Sequence, residues 1–315
     1  MSKHGTQDKP PIRNPQSAIR NPWRSLRIRT GIFLWLCITA SAWAQDGPRA
    51  IKTESAELIG VGRVQVDFGV EFLHRARYSL SGLEGDLLRL GVTNLRVGVG
   101  DYAEFLLSGV GRDYLTINKR YPAVIPPTIS GDTASDYGDL ILGTKLKLAP
   151  EKGARPAISF KFAVQLPNAS NERGLGNDET EFFTSLLFTR HFGRAQISGN
   201  LGLAILGSPV QANSQADMLT YGFSFVLPVQ QRLEMVGEVS GRQGPARLGN
   251  ENLSQAQLGA RITAGGLRWD VAGILGVERY NPRSGLAVGV SFDFQAFHKK
   301  RSPVTIPSEK PPVKK

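Results

Sequence analysis

The stretch Arg-Val-Gln-Val-Asp-Phe-Gly-Val-Glu-Phe at residues 63–72 decides the fold class of this chain. Its apolar side chains alternate with polar side chains or glycine, so an extended strand would have one apolar face and one charged face. The same period of two recurs in residues 139–148, 157–166, 267–275 and 286–295. Helical spacing, which repeats every ~3.6 residues, explains none of these segments. The pattern therefore predicts an all-β protein.

These segments are about as long as a tilted membrane-spanning strand requires, which is roughly 9 to 11 residues. Weaker alternation in seven further segments brings the predicted total to twelve strands; the weaker segments lie near residues 86–98, 102–111, 180–192, 195–206, 217–228, 233–241 and 255–264. An even number returns both chain ends to one side of the membrane, as in bacterial single-chain barrels. We therefore predict a transmembrane antiparallel up-and-down β-barrel of about 12 strands over residues 62–297.

The predicted connections alternate in length, as expected when short periplasmic turns alternate with longer external loops. The short joins lie at 98–101, 193–194, 228–232 and 265–266, with a medium one at 150–156. The longer polar joins lie at 76–85, 112–138, 167–179, 207–216, 242–254 and 279–284. The join at 112–138 is the longest and contains three prolines, and it is long enough to fold inward as a constriction.

A soluble secreted β-sandwich or small barrel is the alternative, because its strands also alternate between apolar and polar residues. The predicted strands are longer than the about five or six residues that are usual in soluble sheets. The alternating connection lengths and the aromatic pattern of the last strand also favour a membrane barrel.

The formal net charge is +11, but the excess lies at the two ends of the chain. Residues 1–44 carry seven Lys and Arg against one Asp, residues 298–315 carry six against one Glu, and the stretch between them is formally neutral. A nucleic-acid-binding face is therefore not expected. We interpret residues 298–315, which are basic and rich in proline, as a disordered periplasmic tail.

The first 44 residues have the order of a secretory signal peptide. A basic stretch ends at Arg29, an apolar run spans residues 31–38, and an Ala-Trp-Ala sequence ends at Ala44. We predict cleavage after Ala44, which leaves residues 45–61 as a short periplasmic N-terminal segment. The long stretch before the apolar run indicates either a start codon assigned too early or a long leader.

The sequence carries no pattern that is typical of a catalytic or metal site. The single cysteine, Cys37, lies in the signal peptide, and the histidines are far apart, at His4, His74, His191 and His298. Nucleophile-elbow, phosphate-loop and dinucleotide-binding glycine motifs are absent from the sequence. Because some outer-membrane barrels are lipases, His191 with Ser185 or Ser198 is a pair to consider, although a rim histidine is the simpler interpretation. We expect neither an enzyme nor a bound cofactor or metal.

Charged residues on the polar strand faces are candidates for the lumen wall, because a water-filled interior tolerates charge and the lipid face does not. The candidates are Lys145, Lys147, Lys161, Arg261, Arg268, Asp67, Glu71, Glu238, Asp270 and Asp293. We expect the three lysines to share one wall and Asp67 to meet Asp293 across the seam between the last and first strands. The electrostatic field between the lysine wall and the acidic seam would orient a polar solute. Alternatively, the charges are structural pairs that plug a narrow barrel.

The last predicted strand ends in a pattern of glycine followed by alternating aromatic residues. Gly289, Phe292, Phe294 and Phe297 resemble the recognition signal that the barrel-insertion machinery reads on terminal strands. That signal usually ends the chain, whereas a basic tail follows Phe297 here.

Short glycine-based motifs give the chain a resemblance to a known family. They are Gly138-Asp139-Leu140 with Gly143 and Lys145, Leu166-Pro167 followed by Gly174-Leu175-Gly176-Asn177-Asp178, and Asn200-Leu201-Gly202. Over roughly residues 60–297 the chain resembles the outer-membrane transporter family named after the meta-pathway of phenol degradation. It departs from the family pattern at Leu203, where an aromatic residue is usual, and at Asn168-Ala169, where Thr-Gly is usual.

The resemblance implies a barrel that passes hydrophobic or aromatic compounds, with no catalytic residue to carry over. The resulting hypothesis is passive passage of such small molecules across the bacterial outer membrane. The expected partners are outer-membrane lipid, the barrel-assembly machinery and the solute. The alternative is a non-conducting structural or adhesion barrel that acts through its external loops, and a membrane-embedded hydrolase is a remote third.

Overall fold

The computed structural model describes residues 52–298 of the 315-residue chain. The predicted signal peptide and the tail beyond His298 lie outside this range. Within it, no helix has the length and apolarity needed to cross a bilayer. The strands are β1 Arg63–Tyr78, β2 Leu83–Gly98, β3 Ala103–Arg120, β4 Thr133–Asp136, β5 Leu140–Ala149, β6 Ala157–Leu166, β7 Glu181–Phe192, β8 Ala195–Gly207, β9 Gln215–Gln230, β10 Leu233–Gln243, β11 Leu253–Ala264, β12 Leu267–Gly276 and β13 Ser284–Gln295.

The strands form one closed antiparallel sheet. Each strand pairs with its neighbours in the chain, and β1 closes the ring by pairing with β13. The short strand β4 is the outer part of the same barrel strand as β5, because both pair with β3 in one continuous register: Ser108 lies opposite Ile141, and Asp113 lies opposite Asp136. The barrel therefore has twelve strands, and the predicted all-β up-and-down barrel is confirmed.

Two predicted connections are wrong. Residues 112–138 are not a free loop, since β3 continues to Arg120 and β4 pairs with it, leaving residues 121–132 as the connection. Residues 76–85 are not a long join either, because only residues 79–82 connect β1 to β2. A bulge between Leu73 and Ala76 shifts the alternation of β1. Beyond the bulge the residues no longer follow the period of two, so the pattern did not predict that the strand continues.

An apolar belt covers the outside of the barrel. Its side chains occupy the exposed alternate positions of the strands and include Phe68, Val70, Phe72, Leu146, Phe162, Leu186, Leu201, Leu203, Phe223, Leu258, Val271, Leu286 and Val288. Exposed aliphatic and aromatic residues on the outside of a closed sheet are the arrangement that contacts lipid. The intervening positions point inward and carry the buried polar residues.

The external end of the barrel has an apolar cluster beneath its loops. Leu73, Leu87, Leu115 and Ile274 belong to this cluster, and Leu175 of the 167–180 loop packs against it. Backbone groups join the loops to one another: Ser81 Oγ donates to the Gly174 carbonyl at 2.7 Å, and the amides of Val124 and Ile125 donate to the Leu80 carbonyl. The loops therefore form a connected layer over this end of the lumen.

Candidate functional site

A stretch of chain that precedes β1 runs inside the barrel. We call residues 52–59 the lumen segment. The Ile59 amide donates to Glu104 on β3 at 3.0 Å, the Ala56 amide to Thr189 on β7 at 2.8 Å, and the Thr53 amide to Glu238 on β10 at 2.6 Å. Because these partners lie on successive parts of the inner wall, the segment crosses the lumen from β3 to β10.

Two glycines allow the lumen segment to turn into β1. Gly60 and Gly62 have φ values of +92° and +74°, which residues with a side chain rarely adopt. The Gly62 amide donates to the Gly98 carbonyl at 2.7 Å, which joins this turn to the end of β2. The turn lies at the periplasmic end, where β2 passes into β3 through a short connection, so the segment enters the lumen from the periplasmic side.

Glu54 fixes the middle of the segment to the wall. Its carboxylate forms ion pairs with Lys161 on β6 and with Lys145 on β5, the latter at 3.7 Å. Burial alone would raise the pKa of the Glu54 carboxyl, but the charges of Lys161 and Lys145 and a hydrogen bond from Lys161 hold it at about 2. Glu54 is therefore ionised at every pH at which the protein would normally work.

Beneath Glu54 lies a buried cluster of charges. Glu104, which has no exposed surface, accepts two hydrogen bonds from the Arg96 guanidinium, at 3.0 and 3.2 Å, and pairs with Lys145 at 2.9 Å. Lys145 also donates to the Ser55 carbonyl at 3.0 Å, and Arg96 donates to the Glu57 carbonyl at 3.3 Å. The cluster thus couples the wall charges to the backbone of the lumen segment.

The opposite flank of the segment contacts β8 and β9. With its amide oxygen toward the Glu54 amide and its amide nitrogen toward the Glu54 carbonyl, Asn200 makes both hydrogen bonds at 2.8 Å. Gly222 leaves room for Thr53, since a Cβ there would lie 2.5 Å from the Thr53 hydroxyl oxygen. Lys145 and Asn200, two residues of the motifs that carry the family resemblance, therefore both hold Glu54.

A cavity lies on the external side of the lumen segment. Its volume is about 620 Å³, and residues 52–55 form part of its lining. Apolar side chains such as Leu73, Val92 and Ile141 line it together with the charged side chains of Glu71 and Arg89. A neighbouring cavity of about 390 Å³ shares Lys52, Thr53 and Lys161 with it. The space is large enough for a small organic molecule.

The lysine candidates lie on one wall. Lys145 and Lys161 are directly opposite each other in the β5–β6 register, and half-buried Lys147 lies opposite Ser159. Glu238 on β10 binds the lumen segment through the Thr53 amide. The structure thus brings three of the predicted site residues, Lys145, Lys161 and Glu238, into contact with residues 53–55.

The other candidates form contacts within the wall. Glu71 pairs with Arg89 at 3.3 Å, and Asp67 accepts from Gln65 and from Asn94, at 3.0 and 3.2 Å. In the β11–β12 register, Arg261 lies opposite Asp270 and Arg268 opposite Thr263, and Arg261 and Asp270 are buried.

The expected meeting of Asp67 and Asp293 is wrong. Across the β1–β13 seam Asp67 lies opposite Ser291, whereas Asp293 lies opposite Gln65 and pairs with Arg63. Asp67 and Asp293 are therefore offset by two positions along the seam. Alternation in the sequence fixes only the face on which each residue lies, so it could not predict the register of the two strands.

Several residues of the site are not among the candidates that the sequence predicts. Glu104 and Arg96 lie in the weakly alternating segments 102–111 and 86–98. Glu104 shares its face with Leu106 and Val110, and a register shift at Gly91 interrupts the alternation of β2, so a period of two does not single out either residue. Glu54 and Ser55 lie in a stretch without period two, and no sequence signal indicated that this stretch enters the barrel.

The pair considered for hydrolase chemistry is not assembled. His191 lies opposite Gln196, and its Nδ1 contacts a carboxylate oxygen of Glu151 at 2.8 Å. Ser198 lies opposite Thr189 and shares a hydrogen bond with it at 3.0 Å, while Ser185 lies opposite Gly202, far along the strand from His191.

The sequence and the fold match known proteins. The sequence profile of the family described as "Putative MetA-pathway of phenol degradation" matches residues 47–294. No curated protein matches the chain. The fold is similar to that of the COG4313 outer membrane channel from Pseudomonas putida F1, with a TM-score of 0.52 and 14% identity over 76% of this chain and 98% of that one.

Weaker structural similarity extends to other outer-membrane barrels. The NanC porin has a TM-score of 0.44 and 7% identity, covering 73% of this chain and 98% of that chain. The translocator domain of the autotransporter NalP from Neisseria meningitidis has a TM-score of 0.43 and 12% identity, covering 86% of this chain and 97% of that chain. The fold and its apolar belt confirm the predicted location in the bacterial outer membrane, in contact with its lipid.

Proposed function

The chain belongs to the family described as "Putative MetA-pathway of phenol degradation", and from this premise we propose that it is an outer-membrane channel whose lumen segment closes it. The observation that carries the proposal is the course of residues 52–59 across the lumen, held at Glu54 by Lys145 and Lys161. A chain segment that crosses the lumen and is bound by the wall blocks the route that a solute would take through the barrel.

The contacts of the lumen segment favour reversible closure. They are ion pairs and hydrogen bonds to side chains of the wall, among them Glu104, Thr189 and Glu238. Water competes well for such groups once the segment moves, so withdrawing it costs less than unpacking an apolar core would. The glycine turn at Gly60 and Gly62 provides a pivot at the periplasmic end.

Small hydrophobic or aromatic molecules are the solute class that we propose. The cavity of about 620 Å³ beyond the segment combines an apolar part, with Leu73, Val92 and Ile141, and a charged part around Arg89. A flat aromatic ring with one polar substituent would contact apolar side chains and still present its polar group to Arg89 or Glu71. This mixed lining also supports the predicted role of the lumen charges, which is to orient a polar solute.

Insertion by the barrel-assembly machinery is part of the proposal. Phe292 and Phe294 on β13 are exposed on the outside, with ring centroids 6.3 Å apart and an interplanar angle of 16°. Phe297 is also exposed, and Gly289 lies opposite Gly69 in the seam. An exposed aromatic edge on the last strand is accessible to a machinery that binds terminal strands before the barrel closes.

Single-channel recording in planar bilayers tests the proposal. We compare the full-length protein with a variant from which Lys52–Ile59 is deleted. The deletion should give a larger and steadier conductance, and phenol added to the external side should reduce the current of that variant more than glycerol at equal concentration. Deletion of residues 210–212, which shortens an external loop outside the segment and leaves two residues between the paired Ser208 and Ser214, is the control and should leave the wild-type conductance unchanged.

The structural or adhesion role makes the opposite prediction. If neither the wild type nor the deletion variant conducts, although both migrate faster on gels before boiling, the channel proposal is wrong and the non-conducting barrel is supported. If the protein conducts but phenol does not reduce the current, the channel proposal is supported and the proposed class of aromatic solutes is wrong.

A further inference from the structure

A second cluster of functional groups lies where the lumen segment meets the periplasmic rim. Its members come from three separate elements: Glu57 from the segment, Glu151 from the turn between β5 and β6, and His191 from the end of β7. His191 Nδ1 is 2.8 Å from one carboxylate oxygen of Glu151 and 4.0 Å from one of Glu57. One ligand atom from each residue lies within 4.8 Å of the others.

We propose that Glu57, Glu151 and His191 bind a divalent transition-metal ion, with Zn²⁺ as the best fit. An imidazole nitrogen and carboxylate oxygens are ligands that Zn²⁺ accepts, and three protein ligands with a water complete its tetrahedral shell. At metal–ligand distances of about 2.0–2.2 Å, two ligands of a tetrahedral ion are roughly 3.3–3.6 Å apart. The distances from His191 Nδ1 to the carboxylate oxygens of Glu151 and Glu57, 2.8 and 4.0 Å, lie on either side of this range. Small rotations of the two glutamate side chains would therefore complete the site.

A simple hydrogen bond explains only part of this arrangement. Nδ1 of an imidazole carries at most one proton and can donate it to one acceptor, and Glu151 is at the right distance to receive it. The Glu57 carboxylate, at 4.0 Å, is too far for a hydrogen bond to that nitrogen and approaches the ring as an ion pair. A cation between the three groups would be bound by both carboxylates and by the nitrogen.

The surroundings hold the three ligands in position. On the segment, the Ala56 amide donates to Thr189, and the Glu57 carbonyl accepts from Arg96, so the backbone that carries the Glu57 side chain is fixed on both sides. Arg190 lies 3.5 Å from the other oxygen of Glu151, which leaves the first oxygen toward His191. Groups that orient the ligands in this way raise the affinity of metal sites.

The site would fasten the lumen segment to the rim of the barrel. Glu57 is three residues from Glu54, so a bound ion would add a second attachment close to the ion pairs with Lys145 and Lys161. Metal binding itself does not depend on the proposed channel function, because it requires only that the segment occupies the lumen.

Calorimetric titration of the tag-free, full-length protein with ZnCl₂ in detergent tests the site. We expect saturable binding of one ion per chain, weakened at least about tenfold in His191→Ala and in Glu57→Gln. His74→Ala is the matched control and should bind like the wild type, because His74 also contacts one carboxylate, that of Asp86 at 2.8 Å, but lies on β1 outside the cluster. Heat-modifiable migration on gels shows that each variant is folded.

Absence of saturable binding in the wild type would overturn the proposal, and so would unchanged affinity in His191→Ala. If Glu57→Gln binds Zn²⁺ as tightly as the wild type, the ion does not use the lumen segment, and the proposal is equally wrong. If His191→Ala does not fold, the Zn²⁺ affinity of Glu57→Gln alone tests the proposal. A channel that conducts but binds no Zn²⁺ would reject the metal site and leave the proposed function intact.

Discussion

Lys145 and Lys161 lie directly opposite each other in the β5–β6 ladder, and the Glu54 carboxylate reaches both ammonium groups. Like charges in opposite positions destabilise a pair of strands. The wall of the barrel is therefore complementary to the lumen segment, since the segment supplies the charge that offsets this repulsion. Withdrawal of the segment would leave both lysines exposed to the aqueous lumen.

Replacing the charge of Glu54 should open the barrel. In Glu54→Gln the segment loses its ion pairs with Lys145 and Lys161, and of the two lysines only Lys145 keeps a carboxylate, that of Glu104 at 2.9 Å. We therefore expect the segment to leave the lumen for a larger fraction of time. Single-channel recordings should show more frequent open events than in the wild type. Glu172→Gln makes the same substitution on an exposed external loop and should behave like the wild type. Equal open times in the two variants would contradict the proposal that the Glu54 ion pairs hold the segment in the lumen.

The attachment of the lumen segment through Glu54 should resist acid. The pKa of Glu54 is about 2 in the barrel, below its ordinary value of 4.5, so its attraction to the lysines is fully present above pH 4.5 and is lost as the pH falls through about 2. Between pH 7 and pH 4 we therefore expect no opening that depends on Glu54. An opening transition centred near the ordinary pKa, seen in the wild type but absent from Glu54→Gln, would show that the lysines do not hold the carboxylate.

A side chain at Gly222 should displace the lumen segment by contact rather than by charge. Its Cβ would lie 2.5 Å from the Thr53 hydroxyl oxygen, closer than atoms can approach. We expect Gly222→Val to fold into a barrel with raised conductance. Gly273→Val is the matched control, because Gly273 is exposed on the outside and a Cβ there has only the Leu258 carbonyl at 3.9 Å; raised conductance in that control would point to a general loosening of the barrel.

Glu104 should be the most costly wall charge to remove. It is fully buried between Arg96 and Lys145, so Glu104→Gln removes the nearest carboxylate from two buried cations, and Lys145 keeps only Glu54, at 3.7 Å. Breaking such a buried pair typically costs about 3–5 kcal/mol of unfolding free energy. Urea unfolding in lipid vesicles measures this loss of unfolding free energy, and Asp293→Asn is the variant for comparison.

The Arg63–Asp293 pair at the rim is partly exposed, and exposed pairs contribute about 0–1 kcal/mol. The loss in Asp293→Asn should therefore be clearly smaller than that in Glu104→Gln. Losses of similar size would mean that solvent screens the Glu104 cluster as well.

The barrel could be predicted from the sequence because alternation reports which face of a strand meets lipid. The segment 157–166 was predicted with the bounds of β6, where large apolar residues alternate without interruption. Prediction failed where a bulge breaks the alternation, as after Leu73, and where β3 leaves the membrane and continues as a polar hairpin to Arg120. The physical signal, burial against lipid, is absent there.

The site was predictable only in part. Lys145, Lys161 and Glu238 follow from being charged on an inward face, but the residue that joins the lysines, Glu54, lies in a segment without any period. Its position depends on contacts with strands between about 90 and 185 residues away in the sequence, such as Lys145 to Ser55 and Thr53 to Glu238. A local pattern contains no information about pairings at that distance.

The turn at Gly60 and Gly62 places the lumen segment immediately before β1, the strand that closes the barrel against β13. That closure joins parts of the chain some 230 residues apart, as between Arg63 and Asp293, and pairings of such wide separation form late because of their loop entropy. Because the lumen segment is attached directly to the closing strand, we expect it to be at the barrel when the two edges come together and to occupy the lumen from that point. An empty pore would then be a later state of the finished barrel and not a stage in its assembly.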